Sequence, residues 1–201
     1  MAKKELKLRA YVSPAETVVV SAYDKDGKAQ ACTLAFYTPS SHVPPCVTIG
    51  IRAWAKRKTL ECILEQGAFV VSFPNAEQIK EADYLGVESG FHADKLQNVG
   101  FTVSEAKTVH APIINEMLIS LECQLVHKAT IGSHMHLTGE IKRIIADDSV
   151  LDENDKVVLE KLRPLIYDEE QFRYLGLGEK LSDAFKPGVA MKKELGGNNA
   201  G

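Results

Sequence analysis

The sequence is poor in cysteine and tryptophan and contains no long hydrophobic run. Its four cysteines lie within apolar patterns and form no CxxC pair, so a disulfide framework or a zinc site is poorly supported. No apolar stretch approaches the length of a membrane span, and the N-terminus, MAKKELKLRA, lacks the apolar core of a signal peptide. These absences favour a soluble cytoplasmic protein with buried free thiols and no membrane partner.

The sequence also lacks an excess of charge and any strong catalytic motif. Lys and Arg number 24 against 27 Asp and Glu, a net charge of −3, which gives no case for nucleic-acid binding. We find no G-x-S-x-G elbow, no H-E-x-x-H pair and no phosphate-binding P-loop. The chemistry would therefore belong to a cofactor, with the protein supplying orientation and electrostatics.

Hydrophobic patterning predicts a mainly β chain with helical insertions. Strands are expected at residues 17–23, 29–36, 46–52, 68–73 and 117–125, and after a turn at 130–133. Three prolines, Pro39, Pro44 and Pro45, predict an extended loop between the second and third of these strands. Helices do not alternate regularly with strands, so an antiparallel barrel is expected over a doubly wound parallel sheet.

A basic turn precedes the first helix and suits a phosphate. Thr59 is the predicted N-cap of this helix and Gly67 its C-terminal stop. A helix N-terminus offers free N–H groups and a partial positive charge, which the turn at residues 56–58 would reinforce. A solvated Lys/Arg turn is the alternative, and this feature alone does not decide between the two.

Ordered sequence pieces carry a resemblance to a known family. They are the DKDG turn, ACTLAFYTPSSHVPPCVTIGI, RKTLECILEQGAFVVSFPN, ADKLQNVGFTV, HAPIINEMLISLECQLV, IGSHMHLTGEI and YLGLGEKLSDAF. In this order they resemble the flavin reductase-like, FMN-binding split-barrel family, in its flavoredoxin branch. The resemblance covers roughly residues 14–185.

The resemblance implies an organisation and a cofactor. It implies a split-barrel domain over residues 14–187, a Greek-key antiparallel barrel, with a basic lead-in at 1–13 and a flexible tail at 188–201. It implies bound FMN near the two-fold interface of a homodimer, with part of the pocket coming from residues 174–185 of the second chain.

The resemblance also implies the residues that bind FMN. The ring would lie against the stretch from Thr33 to Ser41, and the phosphate against the basic turn. Ser40 and Ser41 either cap their loop or contact the ligand, and Trp54 either covers the ribityl chain or anchors its loop. The expected binding residues are Thr33, Leu34, Ala35, Phe36, Ser40, Ser41, Arg52, Arg57, Lys58 and Thr59.

His134 matches a histidine that many flavin reductases carry in a G-D-H motif associated with the nicotinamide nucleotide. Here the motif reads Gly132-Ser133-His134, and the missing acid puts NAD(P)H use in doubt more than FMN binding. Alternatives for His134 are a metal pair with His136, which lacks a third ligand, or an ordinary polar strand face. We expect no metal and take His134 as the candidate catalytic residue.

Three functions remain open at this point. The chain is an oxidoreductase that passes electrons from NAD(P)H through FMN to a flavin or other acceptor, an FMN electron carrier reduced by a redox protein, or a flavin-binding module without turnover.

Overall fold

The computed structural model describes residues 2–8 and 14–195. Residues 9–13 of the predicted lead-in and the GGNNAG end of the predicted tail lie outside the described residues. The described part forms these strands: β1 (Ala15–Glu16), β2 (Val18–Tyr23), β3 (Ala29–Leu34), β4 (Tyr37–His42), β5 (Pro45–Arg52), β6 (Ala68–Ser72), β7 (Val103–Glu105), β8 (Pro112–Ile114), β9 (Ile119–Ile131), β10 (His134–Ala146), β11 (Ile166–Asp168) and β12 (Arg173–Leu175). Its helices are α1 (Lys58–Gln66), α2 (Ile79–Val87), α3 (Lys95–Asn98), α4 (Leu159–Leu162) and α5 (Lys186–Glu194). None of these helices is long and apolar enough to cross a membrane.

A seven-stranded antiparallel sheet forms the body of the fold, in the order β3-β2-β6-β9-β10-β5-β4. The two edge strands, β3 and β4, are consecutive in the chain and are joined only by Ala35 and Phe36. The edges must therefore lie side by side, and the N–H of Gly50 in β5 donates to the carbonyl of Phe36 at 2.9 Å. The sheet is closed into a barrel, which confirms the predicted antiparallel barrel with helical insertions.

The barrel interior is filled by apolar side chains from alternate positions of its strands. Val18 and Val20 of β2 and Ile49 and Ile51 of β5 are buried in one cluster with Phe69 of β6. Helix α1 covers this cluster through its buried apolar side, as its sequence pattern predicts.

The Ser/Pro segment is a strand, so the predicted extended loop is wrong there. β4 pairs with β5 in a hairpin, with a register shift between Pro39 and Ser41. Pro39 is tolerated because β4 is an edge strand, where the missing N–H leaves no ladder bond unmade. Pro44 lies in the hairpin turn, and Pro45 begins β5.

The first helix is capped differently from the prediction. Arg57 is the N-cap residue and provides no side-chain cap, whereas Thr59 lies inside the helix and is buried. The predicted end is confirmed, because Gly67 closes the helix with a φ of 66°, a conformation that glycine adopts at little cost. A capping box formed by Asn75 and Gln78 begins the next helical segment.

Strand β9 is buried on both faces in its first half, although its alternation predicts a half-buried strand. The polar Ser120 and Glu122 are fully buried. Ser120 shares a hydrogen bond of 2.8 Å with Ser72, and Glu122 accepts from the Thr108 N–H and hydroxyl and from Arg143. These bonds offset the cost of burying polar groups, which no local pattern reveals.

Helix α5 begins at Lys186, two residues before the predicted tail, and continues into it, and no residue of α5 is buried. The domain bounds at residues 14–187 and the flexibility of the tail stay predictions.

The buried Glu122 generates a prediction about acid stability. Burial alone raises the pKa of this carboxyl, but the hydrogen bonds from Thr108 and Arg143 outweigh it, and the pKa lies below its ordinary value of 4.5. A depressed folded-state pKa stabilises the fold above the unfolded-state pKa, and this stabilisation is lost as the pH falls through the folded-state value. We expect Glu122→Gln to lower the free energy of unfolding by about 2 kcal/mol at pH 7.

Urea unfolding between pH 7 and pH 3 measures this effect. The difference between wild type and Glu122→Gln should shrink toward the acid end, while Glu65→Gln, an exposed change on α1, should show little difference anywhere. A pH-independent difference would contradict the assigned role of the carboxylate.

Candidate functional site

A cleft of about 370 Å³ opens where the barrel closure meets α2 and the small sheet of β11 and β12. Its walls come from the ends of β3, β5 and α2, the start of β10 and the loop before α1. The cleft brings together seven residues predicted for the flavin site, which are Thr33, Leu34, Ala35, Phe36, Arg52, Arg57 and His134. Segments distant in sequence thus meet at one concave surface.

The wall after β3 provides a flat, open surface. A side chain at Gly50 would place its Cβ 3.0 Å from the Cβ of Phe36, so glycine lets Phe36 lie this close to β5 without a shift of its neighbours. The Phe36 ring stacks on His134 with centroids 4.5 Å apart and planes inclined by 20°. This arrangement leaves room for a planar ligand beside the small residues Ala35 and Gly86.

The Thr33 hydroxyl already forms a hydrogen bond within the protein. It donates to the carbonyl of Ala82 at 2.5 Å and so ties β3 to α2. Its hydrogen is therefore unavailable to a ligand, although Thr33 still lines the cleft and its oxygen can accept.

Two guanidinium groups supply positive charge to the cleft. Arg57 Nη1 donates to the carbonyl of Gly86 at 3.4 Å, and the Arg52 guanidinium lies 5.9 Å from the centroid of the Trp54 ring. Neither arginine forms an ion pair with the residues at 2–8 or 14–195. Trp54 is 70% exposed, so it does not anchor its loop on the core.

Two other residues expected at the phosphate lie beside the cleft and do not line it. The Lys58 ammonium lies 5.7 Å from the centroid of the Phe91 ring, and Thr59 is buried. The first hydrogen bonds of α1 are donated by the N–H groups of Leu60 and Glu61 to the carbonyl of Arg57. The N–H groups of Lys58 and Thr59 come before these bonds and have no partner within the helix. These two residues can contribute through the backbone at the start of α1.

Ser40 and Ser41 lie outside the cleft. Both are exposed on edge strand β4, where Ser41 pairs with Cys46 of β5. This chain's own cleft does not include them, so contact with the ligand is not supported within one chain.

His134 lies at the rim of the cleft, opposite Arg52 in the ladder between β10 and β5. Its Nδ1 is 2.9 Å from the Ser133 hydroxyl. Burial, followed by the charges of Arg52 and His136, lowers the pKa of His134 below its ordinary value, so the ring is mostly neutral at pH 7. The described residues contain no cluster of three His, Cys, Asp or Glu side chains that could hold a metal ion.

Two tyrosines that are not among the predicted binding residues also line the cleft. Tyr167 of β11 and Tyr174 of β12 line the cleft together with Asp83 of α2. The Tyr174 hydroxyl donates to Asp83 at 2.9 Å, and burial, together with this carboxylate, raises the pKa of the phenol. Tyr174 lines the cleft of its own chain, and the expected contribution of residues 174–185 to the pocket of a second chain stays a prediction. No local signal could have found Tyr174, because 91 residues separate it from Asp83.

The cleft fits a flavin mononucleotide. Its volume lies within the range of small-molecule sites, roughly 300–1,000 Å³. An aromatic residue and small side chains suit the flat ring, and two arginines that form no ion pair with residues 2–8 or 14–195 suit the phosphate. The residues present therefore match the two ends of this cofactor.

Comparison with known proteins agrees with this assignment. The chain matches the flavin reductase like domain over residues 10–176. It is similar to the flavoredoxin of Desulfovibrio vulgaris (Miyazaki F), with 29% identity, a TM-score of 0.87, and coverage of 93% of this chain and 100% of that one. It is similar to the flavoredoxin of Methanosarcina acetivorans, with 27% identity, a TM-score of 0.85, and coverage of 94% and 100%. An uncharacterized protein of Archaeoglobus fulgidus is 29% identical over 153 residues, 76% of this chain and 84% of that protein.

The fold and the cleft define a flavin-binding protein of the split-barrel class. The chain belongs to the flavin reductase-like domain family, and its relation to flavoredoxins agrees with the branch that the sequence resembles.

Proposed function

We propose that this protein is an FMN-binding oxidoreductase that passes electrons from NAD(P)H through bound FMN to a flavin or another acceptor. The convergence of Arg52, Arg57 and His134 on one cleft beside the wall from Thr33 to Phe36 carries this proposal. FMN, when bound, supplies the one- and two-electron redox chemistry. The four free, buried cysteines support a cytoplasmic location.

The two arginines hold the phosphate in this proposal. Arg57 is already oriented by the Gly86 carbonyl at the start of α1, so its remaining N–H groups are free for phosphate oxygens. Arg52 adds charge from the end of β5. Together with the free N–H groups of α1 they favour an anionic end over a neutral one.

His134 orients the hydride-donating ligand. When the Ser133 hydroxyl donates to Nδ1, the proton of the neutral ring stays on Nε2, which is then a hydrogen-bond donor. Stacking on Phe36 holds the ring in this position at the rim of the cleft. A nicotinamide amide offers a carbonyl oxygen that such a donor would bind.

An electron carrier reduced by a protein partner is the second candidate. Two observations favour it: the similarity to two flavoredoxins, and Ser133 in place of the acidic residue of the G-D-H motif. A flavin-binding module without turnover is a third. Anaerobic addition of NADH and of NADPH to the purified protein separates them, since only the first function predicts bleaching of the flavin band without a protein donor.

A homodimer forms part of the proposal. The segment after β12 carries apolar side chains without cover, and Leu181 and Phe185 are 93% and 86% exposed. We infer that this segment lies on a second copy of the chain, near its flavin. Light scattering should give a dimer mass for wild type and a smaller mass for the double variant Leu181→Glu/Phe185→Glu. A monomeric wild-type holoprotein would exclude this arrangement.

The phosphate site predicts a preference for FMN over riboflavin. Hydrogen bonds to charged groups contribute about 1.5–3 kcal/mol, so Arg57→Ala should weaken FMN binding roughly ten- to a hundred-fold. Riboflavin lacks the phosphate, and its affinity should hardly change, which also shows that the variant is folded. Lys25→Ala, which removes an exposed positive charge from the turn between β2 and β3 outside the cleft, is the control. Equal wild-type affinities for FMN and riboflavin would refute the phosphate site.

His134→Ala tests the role of the imidazole. The variant should retain its FMN but be reduced by NAD(P)H about ten- to a hundred-fold more slowly, since a positioned hydrogen bond is lost. Stopped-flow absorbance at matched FMN occupancy measures this rate. His92→Ala, on an exposed loop outside the cleft, serves as control. Wild-type kinetics in His134→Ala would remove His134 from the site, and reduction only by a protein donor would favour the carrier.

A further inference from the structure

A second cleft, of about 310 Å³, adjoins the candidate flavin cleft. The two share Ala35, Phe36 and Gly50 as a common wall. Thus the strand junction that closes the barrel has a concave surface on each side. The function proposed above uses only the first of these surfaces.

A carboxylate without a partner lies in the second cleft. Glu16 of β1 is only partly exposed, and it makes no hydrogen bond or ion pair through its side chain within residues 2–8 and 14–195. Burial raises the pKa of this carboxyl above its ordinary value. Burial, followed by the charge of Glu16, also raises the pKa of the Tyr37 phenol, which lines the same cleft. A poorly solvated carboxylate without a counter-charge favours a cationic ligand.

The rest of the lining suits a flat, apolar body. Phe36 and Tyr37 supply aromatic rings, and Ala15, Ala35 and Gly50 supply small side chains or none. Aromatic rings attract organic cations through the negative charge of their faces, and this attraction grows when the cation is desolvated.

The polar edge of the cleft has little further charge. Thr48 is bonded to Thr138, with their hydroxyl oxygens 2.9 Å apart. His136 lies opposite Gly50 in the ladder and lines this cleft, whereas His134, two residues before it, lines the other. No arginine or lysine lines the second cleft among the residues that the structure describes. An anionic ligand would therefore meet Glu16 without a compensating charge from the described lining residues.

We propose that this second cleft binds a planar organic cation, with Glu16 as its counter-ion and the rings of Phe36 and Tyr37 as its walls. The binding chemistry stands on these residues alone. Only the placement of the cation beside a redox cofactor, across Phe36 from it, rests on the proposed function.

Binding of 1-methylquinolinium, a flat cation, tests the proposal. Isothermal titration of the full chain as purified, with its flavin content measured by absorbance, should detect binding at least tenfold tighter than that of uncharged quinoline. Glu16→Gln should weaken the cation about tenfold and leave quinoline unchanged, because only the charge is removed. Glu140→Gln, on β10 outside the cleft and paired with Lys142, should bind like wild type.

Three results would overturn the proposal. They are equal binding of 1-methylquinolinium and quinoline, unchanged cation binding by Glu16→Gln, and a loss of FMN affinity in Glu16→Gln. The last would assign the second cleft to the flavin site. A failure of the proposed function would give a different result. The chain would then take up no FMN, but it would still bind 1-methylquinolinium.

Discussion

The closure of the barrel at Ala35 and Phe36 is the constraint on which both clefts depend. Two residues join the edge strands of a seven-stranded sheet, and the Gly50 N–H bonds to the Phe36 carbonyl at that junction. Strands β3 and β4 do not pair with each other beyond this junction. The backbone there can therefore form a surface for a ligand. Gly50 suits this junction because a side chain there would crowd the Cβ of Phe36. Backbone geometry, more than any charged group, therefore sets the form of the site.

The candidate flavin cleft combines rigid walls with adjustable charge. Its β-strand walls are held by the barrel core, and α2 is tied to β3 through Thr33 and to β12 through the bond between Tyr174 and Asp83. Its arginines, in contrast, lie near the rim and form no ion pairs with the described residues. Such a site can hold a flat ring in a fixed orientation while its cations adapt to a phosphate. This division of roles agrees with a family in which the cofactor performs the chemistry.

The histidines of β10 show how one strand serves two surfaces. His134 and His136 are two residues apart and lie on the same side of the strand, yet Phe36 separates the clefts that they line. His134 is hydrogen-bonded to the Ser133 hydroxyl, at the position of the acid in the G-D-H motif that the sequence resembles, and this hydrogen bond biases the tautomer of the ring without adding charge. The surroundings of His134 thus carry one negative charge fewer than the G-D-H motif implies. For this reason the electron-carrier function is the second candidate.

The sequence by itself determined the mainly β fold, most strand positions and the helix end at Gly67. These features depend on side-chain periodicity and on local backbone preferences, which neighbouring residues fix. Through its resemblance to the family, it also indicated seven of the residues that meet in the flavin cleft. Only the tertiary structure decided that the Ser/Pro segment is an edge strand, that Arg57 and not Thr59 begins α1, and that Tyr174 enters the cleft. Each of these depends on partners far away in the chain: a free sheet edge that tolerates proline, a packed helix start, and an aspartate 91 residues earlier. Long-range pairing of this kind leaves no periodic trace in one sequence, and for that reason it had to be observed.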